Sequence, residues 1–218
     1  FVYFGGGTPS FLSNEQLRRL IEKIRRHWNW DAAREVTFEC EPGTLKESKL
    51  AVIREIGVTR LSLGVEHFDD EVLETNGRAH KSPEIFRAYD WARNTGFAQI
   101  NIDLIAGMVG DTDAKWTATV EKAVALDPDS VTIYQMELPF NAVFSREALT
   151  AGGSTPVADW ETKRRWVDEA FRRFEAAGYE VSSAYTLVKK SRHAGFIYRD
   201  SLWHGADMVG TGVASFSH

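Results

Sequence analysis

The 218-residue chain has a single cysteine, Cys40, and no apolar run approaching the twenty or so residues that cross a bilayer. One cysteine excludes a disulfide within the chain, which suits a reducing compartment. There is no basic and apolar leader of secretory type, so a cytoplasmic location is expected. An excess of positive charge is missing as well. The 26 Lys and Arg stand against 31 Asp and Glu, a net charge of −5, so nothing electrostatic points to a nucleic acid or an anionic membrane as partner. The histidines show no H-x-x-H or H-x-x-C spacing, so a mononuclear metal site is not expected. His67 and His80 read as loop or supporting residues, and His204 and His218 carry no signal. Methionine is missing from position 1, where FVYF already reads as a buried strand, and GTGVASFSH ends without a helix; both features suggest an internal piece of a longer protein.

What is present is an alternation of strands and helices. Strand patterns cover 1–4, 35–41, 60–65, 99–105, 130–135 and 179–184. Between them lie helical patterns over 14–28, 45–56, 82–94, 112–126 and 158–177. Ser13 with Gln16 forms a capping box for the first helix, and Thr44 with Glu47 suggests one for the second. Pro83 fits the first turn of the third, Asp111 or Thr112 opens the fourth, and Trp160, Phe171 and Phe174 contribute to the apolar face of the fifth. Gly57, Gly96 and Gly178 stand where left-handed C-caps would end helices. Such alternation implies βαβ units and a parallel sheet.

Side-chain alternation discriminates between an open sheet and a barrel. Val36, Phe38 and Cys40 share one face of their strand, and Thr37 and Glu39 the other. Leu61, Leu63 and Val65 oppose Ser62, Gly64 and Glu66; Ile100, Ile102 and Leu104 oppose Asn101 and Asp103. A sheet covered by helices on both faces is apolar on both, whereas a barrel can turn a polar face to its lumen. The barrel fits better. Glu39, Glu66 and Asp103 also come late in their strands, at the end where such barrels carry their sites. Cys40, on the apolar face, reads as a small buried hydrophobe.

Directly after the first strand comes Gly5-Gly6-Gly7-Thr8-Pro9-Ser10, a turn that lets a ligand approach bare backbone. It lacks the Lys-Ser/Thr ending of a P-loop and the spacing of a dinucleotide fingerprint. GGGTPSFLS, EPGTL, RLSLGVEHFDDEVL, GRAH and INIDLIAGM follow one another in an order and spacing that resemble the oxygen-independent coproporphyrinogen III oxidase family of radical S-adenosylmethionine (SAM) proteins. That family includes haem chaperones and HemN-like methyltransferases and cyclopropanases. The resemblance runs from residue 2 to about 140 and returns in DMVGTGVASFS at 207–217.

The resemblance implies an α/β fold, a partial (β/α)6 TIM-like barrel of the radical SAM type. Residues 1–150 would form the barrel core without its first strand, and 151–218 the end of the barrel region with a following strand and loop. It further implies that SAM is cleaved at a [4Fe–4S] cluster to a 5′-deoxyadenosyl radical. The small-molecule substrate would be a porphyrinogen or related tetrapyrrole, and flavodoxin or ferredoxin would donate electrons. Gly5, Gly6, Gly7 and Thr8 match the motif that receives the SAM amino group. Glu39 matches the carboxylate on the ribose hydroxyls, Arg78 an arginine near the SAM carboxylate, and Asp103 an aspartate near the adenosyl group. Glu66 replaces a common glutamine beside the cofactor. AGMVGDT at 106–112 replaces YGLPGQT, and QMELPFN at 135–141 is likewise divergent. These departures weaken an assignment to the porphyrinogen reaction itself, and EPGTL looks closer to the haem chaperones. The family's C-x3-C-x2-C cluster motif is absent from the 218 residues, which fits either ligands lying upstream of residue 1 or a homologue that lacks them.

Overall fold

The computed structural model describes residues 1–138, 157–192, 195–213 and 215–217. The expected division at 150/151, residues 139–141 of the divergent segment and His218 lie outside them. Five strands run parallel in chain order: β1 (Val2–Phe4), β2 (Val36–Cys40), β3 (Arg60–Glu66), β4 (Gln99–Ala106) and β5 (Ser130–Gln135). The helices between them are α1 (Asn14–Arg25), α2 (Glu47–Glu55), α3 (Asp70–Thr75), α4 (Ser82–Thr95) and α5 (Asp113–Leu126); α6 (Trp160–Ala176) comes after β5.

The sequence expectation of one strand at 179–184 needs correction. That region is the short strand β6 (Tyr179–Val181), which turns at Ser182–Ser183 into β7 (Thr186–Lys189). It is β7 that pairs with β5, in antiparallel fashion, giving the order β1-β2-β3-β4-β5-β7-β6. A four-residue TLVK strand beside a three-residue partner is too short for periodicity to reveal.

The apolar faces pack as the alternation requires. Val36, Phe38, Leu61, Leu63, Ile100, Ile102 and Leu104 are all buried, in one core with Leu50 and Ile53 of α2, Ile85 and Ala92 of α4, Trp116 and Val120 of α5, and Trp166 and Phe174 of α6. Each such side chain contributes roughly 1.5–3 kcal/mol by leaving water. Cys40 belongs to this core, and burial raises its thiol pKa well above the usual range.

Local signals set the helix ends. The Ser13–Gln16 capping box forms reciprocally, and Thr112 accepts from the Lys115 amide at 3.3 Å to open α5. The second expected box does not form. Thr44 gives its hydroxyl to the Glu41 carbonyl at 2.9 Å, so α2 starts later, at Glu47. Trp160 is also displaced from its expected role: it is half exposed, with Lys163 Nζ over its ring, while Phe174 alone of the three expected aromatics is fully buried.

A last helix, α7 (Ile197–Trp203), closes the N-terminal end of the polar sheet face. Glu35 accepts from the Ile197 and Tyr198 amides at 3.0 and 3.1 Å, as an N-terminal carboxylate should. Arg60, 2 % exposed, donates to Gln99, to Ser130 and to the Gly195 carbonyl. This end is tied shut, so any ligand cavity opens at the other.

Candidate functional site

The C-terminal ends of β1 to β5 surround one cleft of about 280 Å³. Its lining includes Gly7 and Thr8 after β1, Glu39 and Glu41 at the end of β2, and Ser62, Gly64 and Glu66 on β3. Arg78 lies after α3, Asp103 and Ile105 on β4, and Tyr134 on β5. Glu39, Glu66 and Asp103, chosen from three separate strands, thus meet at one rim beside the glycine turn.

The turn itself is fixed by Glu39. The Gly6 amide donates to Glu39 Oε2 at 3.1 Å, and Tyr3 gives its hydroxyl to the other carboxylate oxygen. Gly5 has no room for a side chain, because a Cβ there would meet Tyr3 and come within 2.9 Å of Glu39 Oε1. Gly6 and Gly7 have φ of +73° and +57°, and on their side of the turn a Cβ would meet nothing within 4 Å. The backbone is therefore bare at both positions, and Gly7 lines the cleft. Thr8 leads into a one-turn 3₁₀ helix without capping it, which leaves its hydroxyl free of that task. Ser10 then holds the turn against the next loop, with its hydroxyl 2.6 Å from Thr44 Oγ1 and accepting from the Glu41 amide at 3.2 Å.

Asp103 ends a chain of polar side chains across the lumen. Ser62 and Asn101 donate to its two oxygens at 3.0 and 2.9 Å; Ser130 donates to Asn101 at 2.8 Å, and Arg60 to Ser130 at 2.8 Å. Burial raises the Asp103 carboxyl to about 6, against the opposing effect of the Ser62 hydroxyl, and Glu39 nearby adds to the rise.

Glu66 is the most unusual residue of the site. Its φ of +64° lies in the left-handed region, where β3 shifts register against β4 between Gly64 and Glu66. Such a conformation costs of order 1 kcal/mol or more in a non-glycine residue. It carries the side chain to Arg78, whose Nε pairs with Oε2, although that buried oxygen accepts no well-formed hydrogen bond. Burial raises the Glu66 carboxyl to about 7; Arg78 opposes the rise, while Glu41 and Asp103 reinforce it.

The two flagged histidines stand behind the rim. His67 is fully buried and accepts at Nδ1 from the Asp69 amide at 3.0 Å, which places its proton on Nε2, 3.3 Å from Asp111. Asp111 in turn accepts from the Gly107 amide, so the divergent 106–112 loop is pinned to the end of β3. His80 bonds the Val65 carbonyl at 3.2 Å and faces Glu41 at 3.6 Å.

All eight residues singled out in sequence, Gly5, Gly6, Gly7, Thr8, Glu39, Glu66, Arg78 and Asp103, thus lie in or against one cleft. Tyr3, Glu41, Ser62, Asn101 and Tyr134 were missed. Ser62 and Asn101 were legible as polar-face residues, but their chemistry depends on cross-strand register; Tyr3 on a three-residue strand gives no alternation to read.

A profile of the radical SAM superfamily matches residues 1–123. The chain belongs to the radical SAM superfamily. A haem chaperone HemW from Bacillus subtilis is 32 % identical, over 88 % of this chain and 51 % of the chaperone. An oxygen-independent coproporphyrinogen III oxidase from Pseudomonas aeruginosa is 30 % identical, over 99 % of this chain and 49 % of the oxidase. The radical SAM enzyme coproporphyrinogen III oxidase of Escherichia coli shares the fold with a TM-score of 0.83 at 24 % identity, covering 99 % of this chain and 51 % of that one. The chain spans about half the length of the curated relatives it matches.

Radical SAM membership implies SAM and a [4Fe–4S] cluster, and the residues present fit the two unequally. Bare glycine backbone beside four carboxylates (Glu39, Glu41, Glu66 and Asp103) suits a molecule carrying a sulfonium and an ammonium group. Among the described residues no group of three His, Cys, Asp or Glu is arranged to hold a metal, and the thiol of Cys40 belongs to the apolar core. This part of the chain fits SAM and does not supply the cluster's ligands. No helix of the described residues is long and apolar enough to cross a membrane.

Proposed function

We propose that the full-length protein is a radical SAM oxidoreductase that binds SAM in this cleft and oxidises a porphyrinogen or related tetrapyrrole. The observation that carries the reading is the convergence of the Gly5–Gly7 backbone, Glu39 and Asp103 at the C-terminal mouth of five parallel strands. In the superfamily, SAM held at a reduced [4Fe–4S] cluster supplies a 5′-deoxyadenosyl radical that takes hydrogen from the substrate, and flavodoxin or ferredoxin is the expected class of electron donor.

The chain's own residues then bind and orient. The open glycine turn and the Thr8 hydroxyl receive the ammonium end of SAM. Glu39, already aligned by Tyr3 and Gly6, accepts from the vicinal ribose hydroxyls, for which two carboxylate oxygens are suited. Arg78 offers its guanidinium to the SAM carboxylate. Asp103, held by Ser62 and Asn101, lines the adenosyl side. The closed N-terminal end excludes water from beneath, as cofactor chemistry of this kind requires.

A second reading is favoured by the relatives named haem chaperone: a barrel of this type that carries haem without oxidising a porphyrinogen. A HemN-like methyl transfer or cyclopropanation is a further variant on the same SAM site. Anaerobic reconstitution of the full-length protein with iron and sulfide, then assay for 5′-deoxyadenosine with dithionite and SAM, separates enzyme from non-enzyme. Product is expected. A fully formed cluster that yields none overturns the enzymatic reading, and stable haem binding in that same sample would favour the chaperone.

A further inference from the structure

We propose that Glu66 is a proton-linked counter-ion for Arg78: it holds the guanidinium while the cleft is free, and takes up a proton when a carboxylate-bearing ligand claims that guanidinium. The inference rests on the reading of this cleft as the SAM site and adds a linkage to it.

The geometry supplies the argument. Among the described residues Arg78 is the only cation lining the cleft, and its Nε already faces Glu66 Oε2. A ligand carboxylate therefore has to compete with an intramolecular one. The Glu66 side chain is 14 % exposed and leaves a strand end whose backbone is left-handed at the β3 shift, so where it stands a displaced carboxylate meets little water. Its Oε2 accepts no hydrogen bond that would replace the lost cation. The other charged and titratable groups facing this wall give no compensation. Glu41 follows β2 and Asp103 stands on β4, both acidic; His80 is turned to the Val65 carbonyl and Glu41, and Tyr134 on β5 is neutral. His67, next in sequence, faces Asp111 instead. A buried carboxylate deprived of its one cation beside two other carboxylates takes a proton. With Arg78 in place its pKa is already raised to about 7, so the proton is within reach near neutrality.

The sign follows from linkage. Below about pH 7 Glu66 is protonated before ligand arrives, and binding takes up nothing from solution. Above it, each SAM bound takes up as much as one proton, and affinity falls by up to about tenfold per pH unit. A glutamine there carries no charge and removes this linkage.

The test is calorimetric titration of the full-length, reconstituted protein and its Glu66→Gln variant at pH 6.5 and 8.0, in buffers of different ionisation enthalpy. SAM and decarboxylated SAM serve as probes. At pH 8.0 the wild type is expected to take up close to one proton more per SAM than Glu66→Gln, whose own uptake reports the α-amino group of SAM, and to match the variant with decarboxylated SAM. Glu66→Gln is expected to lack that extra proton and to bind SAM at least fivefold tighter than wild type at that pH. Equal proton uptake in wild type and variant, or equal uptake with both probes, overturns the linkage while leaving the SAM site standing. Failure of both proteins to bind either probe at both pH values overturns the site and the linkage together.

Discussion

The Gly6 amide donates to Glu39 Oε2 at 3.1 Å, across 33 residues of sequence. This bond makes the glycine turn and the strand-end carboxylate one object: the turn orients the acid, and the acid keeps the turn from collapsing into the cleft. Tyr3, bonded to the other oxygen and stacked on Tyr198 at 4.4 Å, ties the same carboxylate to the helix that closes the far end of the lumen.

Replacing Glu39 by Ala in the full-length protein is therefore expected to weaken SAM binding by about 1–3 kcal/mol, the range for losing a charged hydrogen-bond partner. Equilibrium dialysis with labelled SAM checks it. Unchanged affinity would show that the ribose is bound elsewhere.

Gly5 and Gly7 make a contrasting pair. Gly5→Ala forces a methyl group into Tyr3 and Glu39, so it is expected to lower SAM affinity at least tenfold while the melting temperature falls only modestly. Gly7→Ala meets open space but holds a left-handed φ of +57°, so its cost is about 1 kcal/mol of backbone strain with a smaller binding effect. Paired thermal melts and SAM titrations distinguish them. A Gly5→Ala protein that binds SAM like wild type would mean that the turn relaxes away from Glu39.

Much of this was readable from residue order because barrels impose a period of two with a polar lumen. Val36/Thr37, Leu61/Ser62 and Ile102/Asp103 announced which side was inside, and Glu39, Glu66 and Asp103 announced which end was open. What stayed hidden has two physical causes. Short elements leave no period to read: β7 and α3 span four and six residues, and β7 is the strand that joins β6, the edge of the sheet, to β5. Cross-strand register decides the rest. Nothing in the spacing of Ser62, Asn101 and Ser130 says that their side chains join into one chain ending at Asp103, and nothing next to Glu66 says that its backbone turns left-handed towards Arg78.

Asp103 gives a pH signature of stability. Its carboxyl is raised to about 6 in the fold, above the unfolded value near 4, so the folded state holds the proton more tightly and its contribution is lost as pH rises through about 6. Asp103→Asn removes that loss. The variant is expected to gain up to about 2 kcal/mol on wild type between pH 4.5 and pH 7.5, read from urea midpoints at the two pH values. A difference between the proteins that does not change with pH would show that Asp103 ionises without cost in its place.

The closed end of the lumen makes a prediction of the opposite kind, stability without a change in ligand affinity. Arg60 lies on the same polar face as Ser62 and Glu66 but at the N-terminal end of β3, where its guanidinium spans Gln99 of β4, Ser130 of β5 and the Gly195 carbonyl before α7. Truncation leaves several buried acceptors unpaired and removes the positive charge that faces Glu35, so Arg60→Ala is expected to destabilise the fold by about 3–5 kcal/mol. Arg60 is not part of the cleft lining and reaches Asp103 only through Ser130 and Asn101, whose own bond to Asp103 stays in place, so SAM affinity of the folded fraction is expected to stay within about twofold. Chemical denaturation followed by tryptophan fluorescence, with SAM binding measured below the unfolding midpoint, checks both halves. A variant that keeps its stability and loses SAM would place the ligand deeper in the lumen than Asp103, against the geometry of the rim.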